Sequence, residues 1–262
     1  MATNTPNPIV IKIGGSTLGN HDTTLEDLAT LQKRGVPLVV VHGGANRVTE
    51  WLKRQGTPTS FIDGLRVTDD KSLEMVAAVL GGLVNTELVA DINSLGGRVI
   101  GMTGVDGNLL ECTISNPKLG FAGKITKVNP EGIQAILDAG FIPLVAPPGA
   151  KSPLETADIP YVNINGDDVA GELAAALRAE RLVFLTDVEG IRDADGQLIS
   201  GLTATEVKVL MSSGVIAGGM IPKAKAALIA LKTTPIIQII DGRVPHALLD
   251  SIEAKTGGTV IT

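Results

Sequence analysis

Cysteine occurs once in these 262 residues, at Cys112. A lone cysteine can close neither an internal disulfide nor a zinc cluster. Aromatic residues make up only 2% of the chain, which argues against stacking platforms for bases or a large aromatic cofactor pocket. No strong excess of either charge is present: 22 Lys and Arg stand against 28 Asp and Glu, a formal net charge of −6. That mild acidic balance argues against general binding of nucleic acid or anionic membrane, while leaving room for a local basic pocket. The longest apolar runs are strand-length, so no membrane-spanning helix is expected. Met1 to Pro8 is short and polar and lacks the apolar stretch of a signal peptide. The expectation is a cytoplasmic protein with neither nucleic-acid nor membrane partner.

What is abundant is apolar side chain, at 44%, and glycine, at 31 residues, much of it clustered. This length supports one large domain or two lobes around a buried core. Clustered glycine marks turns, close backbone approaches and anion-binding loops. Ile9 to Ile13 is a β-branched run ended by Gly14-Gly15-Ser16, and a helical pattern from Asp22 to Arg34 follows. Val36 to Val41 is a continuous apolar run closed by His42-Gly43-Gly44, with a second helix over Ala45 to Gln55. Strand, glycine turn, helix and buried strand form the βαβ signature of a mainly parallel sheet. Further along, Asp69 to Asp91 reads as a long helix interrupted by Gly81-Gly82, and Ile114 to Lys127 as a hairpin excursion over the site. Phe141 to Val145 reads as a buried strand ended by a turn at Pro147-Pro148-Gly149. Thr203 followed by Glu206 predicts a capping box.

Several residues carry candidate phosphate chemistry, and each also has an ordinary structural reading. Lys12 ends a strand before two glycines, where an ammonium and bare N–H groups suit phosphate oxygens; it equally suits a lysine reaching to solvent. His42 closes the next buried strand, where a hydrogen-bonding structural role outweighs a catalytic one. The two glycine turns converge if their strands are parallel, and the helix N-termini behind them favour an anion. Lys223 follows Gly218-Gly219-Met220-Ile221-Pro222 in a first helical turn, opposed to the helix dipole unless an anion compensates it. Asn163-Ile164-Asn165-Gly166-Asp167-Asp168 alternates polar side chains at a strand end, and its acids also make good helix caps. Neither a P-loop nor a dinucleotide fingerprint is present.

Taken in order, these segments resemble the amino acid kinase family, and within it the acetylglutamate kinases of arginine biosynthesis. The resemblance rests on Lys12 to Ser16, Val40 to Gly44, Gly64-Leu65-Arg66-Val67-Thr68-Asp69 and Asn163 to Asp167. It extends through Leu185 to Gly190, Gly218 to Lys223 and Asp241 to His246. It implies a three-layer α/β/α sandwich on a central, mostly parallel sheet, with a substrate-binding and dimerising lobe over residues 1–177 and an ATP-binding lobe over 178–262. It implies transfer from ATP, accompanied by Mg²⁺, to the side-chain carboxylate of N-acetylglutamate. Lys12 and Lys223 would flank the phosphoryl group and Asp167 would position them. Backbone at Gly14, Gly15, Gly43 and Gly44 would hold phosphates. Gly44, Ala45, Arg66, Asn163 and Asn165 would bind the substrate, with Arg66 gripping its carboxylate through two parallel hydrogen bonds. Thr186, Asp187, Val188, Gly190, Ile191, Ser212, Gly214, Gly219, Met220 and Lys223 would bind the nucleotide. No residue is expected to ligate the metal directly.

Rival readings are an aminoadipate-type kinase of lysine biosynthesis acting on a carrier-bound substrate, and a non-catalytic nucleotide-binding regulator of the same fold. Two departures stand out: Ala45-Asn46 where relatives carry glycine and lysine, and Asp168 beside Asp167 where relatives carry an uncharged residue. The resemblance also implies a homodimer, and the short, proline-containing start of the chain predicts little inhibition by arginine.

Overall fold

Uninterrupted apolar segments form the middle of the sheet in this computed structural model, which describes residues 6–14, 23–62, 64–152, 159–253 and 257–262. Strand β1 (Ile9–Ile13) and strand β2 (Leu38–His42) are buried at every position. Such strands are covered on both faces, so they read as apolar runs rather than alternations. Helix α1 (Thr24–Lys33) links them, and α2 (Ala45–Arg54) follows the glycine turn after β2. The hairpin of β3 (Phe61–Ile62) and β4 (Leu65–Arg66) leads into α3 (Asp70–Val76). A π-helical segment, Ala77–Val84, continues α3 into α4 (Asn85–Ser94). Then come β5 (Val99–Gly104), β6 (Leu110–Ile114), β7 (Gly123–Val128), α5 (Glu131–Asp138), β8 (Ile142–Lys151) and β9 (Tyr161–Val162). The remainder is α6 (Gly166–Ala176), β10 (Arg181–Thr186), β11 (Gly201–Leu202), α7 (Ala204–Ser212), α8 (Met220–Ala230), β12 (Ile237–Asp241), α9 (Ala247–Glu253) and β13 (Thr259–Ile261).

These strands form one sheet in the order β11-β13-β12-β10-β1-β2-β8-β6-β7, with β5 and β9 also paired to β8. Neighbours from β12 through β10, β1 and β2 to β8 run parallel, so their C-terminal ends open along one edge. The two faces bury separate clusters, as expected of a three-layer α/β/α sandwich. Val10, Val39 and Phe184 pack with Leu173 of α6 and Ala227 of α8. Ile11, Val40 and Val183 pack with Leu28 of α1 and Leu88 of α4. Period two along β1 puts Ile9, Ile11 and Ile13 on one face and Val10 and Lys12 on the other, toward α6. That alternation points Lys12 into the site.

Two expectations are corrected. Pro147-Pro148-Gly149 makes no turn; β8 runs through it to Lys151. The strand changes partners there, with Thr103 opposite Ala146 and Gly104 opposite Gly149, so the two prolines fall in a register shift. Residues without an N–H are tolerated where the ladder requires no donor. The second correction concerns Asp70–Ser94, a continuous helix long and apolar enough to cross a membrane by length and composition. Val76, Leu80, Val84, Leu88 and Ile92 are buried in the core on one side of it. The Gly81-Gly82 interruption falls inside its π-helical segment. The expected capping box is present, with the Thr203 hydroxyl accepting from the Glu206 N–H and the Glu206 carboxylate accepting from the Thr203 N–H.

A side-chain latch ties the last helix to the first. His246 Nδ1 meets Asp27 Oδ1 at 2.7 Å, and the N–H groups of His246 and Leu249 donate to Thr23 and Asp27. Hydrogen bonding to Asp27 raises the pKa of His246 above its ordinary 6.5. A raised histidine pKa contributes stability fully below the unfolded value and loses it as pH rises through the folded one. The melting-temperature difference between wild type and His246→Gln is therefore expected to be largest near pH 6 and to shrink toward pH 9. A difference independent of pH contradicts the charged latch.

Candidate active site

Lys12, Asp167 and Lys223 meet at the C-terminal edge of the parallel strands. Asp167 Oδ1 lies 2.7 Å from Lys12 Nζ, and Asp167 Oδ2 lies 3.3 Å from Lys223 Nζ. Burial alone pushes the Asp167 carboxyl up, but the two ammonium groups overcome it and hold the pKa below the usual range. The carboxylate is thus ionised and restrains both lysines. The ordinary reading of the acids as helix caps fails: β9 ends at Val162, and Asn165 caps α6 by accepting from the Asp167 N–H at 2.8 Å. Capping by Asn165 leaves the Asp167 carboxylate for the lysines. Close packing of two helices brings in Lys223. A Cβ on Gly171 of α6 would meet the Ala226 carbonyl of α8 at 2.7 Å, so glycine there lets the two first turns approach. Sequence reading passed over Gly171 and Ala226, which look like filler in alanine-rich helices.

Beside this triad lies a cavity of about 360 Å³, lined by Lys12, Gly43, Gly44, Ala45, Arg66, Asn163 and Asn165 among others. The glycine loops differ in detail from expectation. The Gly14 amide donates to Leu185 O at 3.1 Å and the Gly43 amide to Ile13 O at 2.9 Å, so both are committed to the sheet. Gly15 lies outside the described residues. Ala45 and Asn46, in the first turn of α2, line the cavity, and N–H groups of a first helical turn have no intrahelical acceptor. Gly44 caps that helix at φ +141°, and a Cβ on it would meet Leu80 at 2.7 Å, so the turn requires glycine on two counts. His42 braces the turn. Its Nε2 faces the Asn85 amide at 3.1 Å and its Nδ1 the Gly43 carbonyl at 2.8 Å, which assigns the proton to Nδ1. Burial lowers its pKa to about 4, despite the opposing Gly43 carbonyl, so the ring is neutral and structural.

Arg66 stands on another wall of the cavity, buried, with its guanidinium 4.8 Å from the Phe61 ring centroid. Its Nη2 donates to Ala45 O at 2.9 Å and to Thr49 Oγ1 at 2.8 Å, while the buried Nη1 has no protein partner. An unpaired buried donor is costly, and an anionic ligand would relieve it. Both two-pronged faces of a guanidinium use Nη2, so Nη1 is the buried donor left without a protein partner in this arrangement. Asn163 is held by its Nδ2, which donates to Thr68 Oγ1 at 3.0 Å.

Residues 7–241 match the model of the amino acid kinase family. The chain belongs to the amino acid kinase family. A Dehalococcoides mccartyi protein named acetylglutamate kinase is 42% identical to this kinase, over 97% of this chain and 94% of its own. One of the same name from Cereibacter sphaeroides is also 42% identical, over 97% and 87%. Among solved structures, smu.665 from Streptococcus mutans superposes with a TM-score of 0.82 at 27% identity, covering 98% of both chains. An N-acetylglutamate synthase from Neisseria gonorrhoeae, complexed with coenzyme A and N-acetyl-glutamate, gives 0.82 at 28%. This kinase spans 98% of itself but 59% of that synthase chain.

The residues expected to bind nucleotide do not line the cavity. Thr186 closes β10 and accepts from the Val188 N–H at 3.0 Å, and Asp187 and Val188 are exposed beyond it. Gly190 backs against Thr259, whose hydroxyl accepts from the Ile191 N–H at 2.8 Å. Ser212 donates to Val209 O and Gly214 follows α7 at φ +80°. Gly219 caps α8 ahead of Met220, and its carbonyl accepts from Lys223 at 3.4 Å.

Asp168 lines the cavity on the first turn of α6. Burial raises its pKa to about 6, with Asp167 and Glu172 adding to the rise and Lys225 opposing it. A carboxyl raised from 3.8 costs the folded state stability as pH climbs through 4 to 6. Asp168→Asn is therefore expected to stabilise the protein at pH 7.5, on the order of 1–3 kcal/mol, with the gain vanishing toward pH 4. Denaturant melts at the two pH values check this.

Proposed function

We propose that this kinase transfers the γ-phosphoryl group of MgATP to the side-chain carboxylate of N-acetylglutamate, forming an acyl phosphate and ADP in arginine biosynthesis. The observation that carries the reading is one cavity with the Lys12–Asp167–Lys223 triad beside it and an unpaired Arg66 donor in its wall. It suits a small molecule with a carboxylate at each end. The names of the relatives supply the acetylated amino acid, and residues 1–177 and 178–262 are read as its substrate and nucleotide halves in a cytoplasmic enzyme.

A carboxylate is already ionised at neutral pH, so no protein base is needed. Its oxygen attacks the γ-phosphorus in line, the bond to the β-γ bridging oxygen breaks, and that electron pair leaves with ADP. Bringing an anion to a triphosphate is the difficulty, and charge stabilisation is the remedy. Lys12 and Lys223 flank the transferred oxygens, and the first turn of α2 donates to them. Asp167 holds both ammonium groups apart from the reacting carboxylate. Arg66 holds the other carboxylate, with Asn163 and Asn165 completing the pocket. Magnesium enters with ATP as part of the substrate.

Acyl phosphate trapped by hydroxylamine is the direct test, comparing N-acetylglutamate with N-acetylaspartate, free glutamate, aminoadipate and carbamate. Selective turnover of N-acetylglutamate is expected, with Lys12→Ala losing kcat by about 10²-fold or more and Arg66→Lys mainly raising KM for the amino acid. Silence across the panel by folded, ATP-binding protein overturns the reading and points to a carrier-bound substrate.

A homodimer is proposed as well, through the outward side of Asp70–Ser94 and the neighbouring edge of β5. Ala78, Gly82 and Ala90 are exposed on that helix, and Leu95 and Ile100 are 37% and 38% exposed beside it. Light scattering is expected to give twice the 27.0 kDa chain mass, and a charged substitution at Ala90 to give monomer. A wild-type monomer at working concentration contradicts this placement.

A further inference from the structure

Ala45 O and Thr49 Oγ1 occupy Arg66 Nη2, which both two-pronged faces of the guanidinium need, and leave Nη1 as its buried donor without a protein partner. A carboxylate has two oxygens, and in a buried pocket the second needs its own donor. Lys124 is the remaining cation on the cavity wall besides Lys12 and Arg66. It follows Gly123 at the start of β7, and the connection between β6 and β7 is bonded to the segment that follows Arg66. The Phe121 N–H donates to Thr68 O at 2.7 Å and the Thr68 N–H to Leu119 O at 2.9 Å. The Gly123 N–H donates to Asn163 O at 2.9 Å, and Asn163 is bonded in turn to the Thr68 hydroxyl. Lys124 is thus carried on a wall fixed to the Arg66 strand.

Lys124 is exposed, and its place on the cavity wall separates it from the other lysines without an ion-pair partner. Lys127 on the same strand pairs with Glu111 at 3.4 Å, and Lys12 is neutralised by Asp167. Among the described residues no carboxylate lies within ion-pair distance of Lys124.

We propose that Lys124 is a specificity-determining residue that pairs with the non-reacting carboxylate of the substrate, completing with Arg66 Nη1 a clamp of two cations. This rests on the acetylglutamate reading above. The clamp belongs to the ground state and the transition state alike, so it governs affinity and not turnover.

The test compares wild type with Lys124→Gln and Lys124→Arg, measuring kcat, KM for N-acetylglutamate and MgATP, and calorimetric Kd for N-acetylglutamate and its α-carboxamide. Lys124→Gln is expected to raise KM and Kd for N-acetylglutamate about two- to fivefold, leaving kcat, KM for MgATP and melting temperature unchanged. Lys124→Arg is expected to restore most of the loss. The α-carboxamide, which lacks the paired charge, is expected to bind wild type and Lys124→Gln alike. An unchanged Kd in Lys124→Gln, or an equal loss for acid and amide, overturns the clamp while turnover of N-acetylglutamate stands. Absence of that turnover in wild type overturns the acetylglutamate reading and this inference with it.

Discussion

One buried carboxylate, Asp167, holds two lysines that arrive from opposite sides of the chain. Lys12 comes from the second residue of its face on β1, and Lys223 from the first turn of α8. Without both cations burial would push the carboxyl pKa up; without the carboxylate the two ammonium groups would repel each other. Buried ion pairs add little net stability, and their value lies in fixed geometry. Much of the architecture serves that geometry. Parallel pairing brings the strand ends to one edge, Asn165 takes the capping duty, and Gly171 against Ala226 lets α6 and α8 come close.

The cavity joins a region built for charge in transit to a wall built for charge at rest. At the triad, every charged group has a partner before substrate arrives. On the other wall, Arg66 Nη1 and Lys124 have none among the described residues. Arg66 Nη1, buried and unsatisfied, costs the free protein stability that an anion would restore, whereas the exposed Lys124 is solvated. Between these regions, neutral elements do the shaping. His42 and Asn85 hold the glycine turn to the long helix, and Leu80 leaves room there only for glycine.

Much of the fold was readable along the chain, because its signals are local. Continuous runs such as Ile9 to Ile13 and Leu182 to Leu185 specify strands buried on both faces, and Thr203 with Glu206 marks a helix start. The misreadings arose where a local rule met a distant partner. Pro147-Pro148 reads as a turn until β8 is seen to exchange β2 and β5 for β6 and β9. Asp70–Ser94 contains no long unbroken apolar run, yet its buried residues share one side. In the site, charged residues in glycine-rich turns announced themselves, and their hydrogen-bond commitments did not. Gly14 and Gly43 look like open phosphate donors in sequence, but pairing with Leu185 and Ile13 uses their amides. Gly171 and Lys124 carried no signal at all, since close approach and cavity walls exist only between elements.

The sequence by itself determined the class of fold, the glycine turns at the strand ends, and the kinds of charge brought to them. These follow from periodicity, backbone freedom and side-chain chemistry, which act within a few residues. Only the tertiary structure decided which lysines share Asp167, which amides remain for an anion, and how many hands Arg66 has left for a carboxylate. Those outcomes depend on distances between elements remote in the chain, and a hydrogen bond or ion pair changes meaning over less than an ångström.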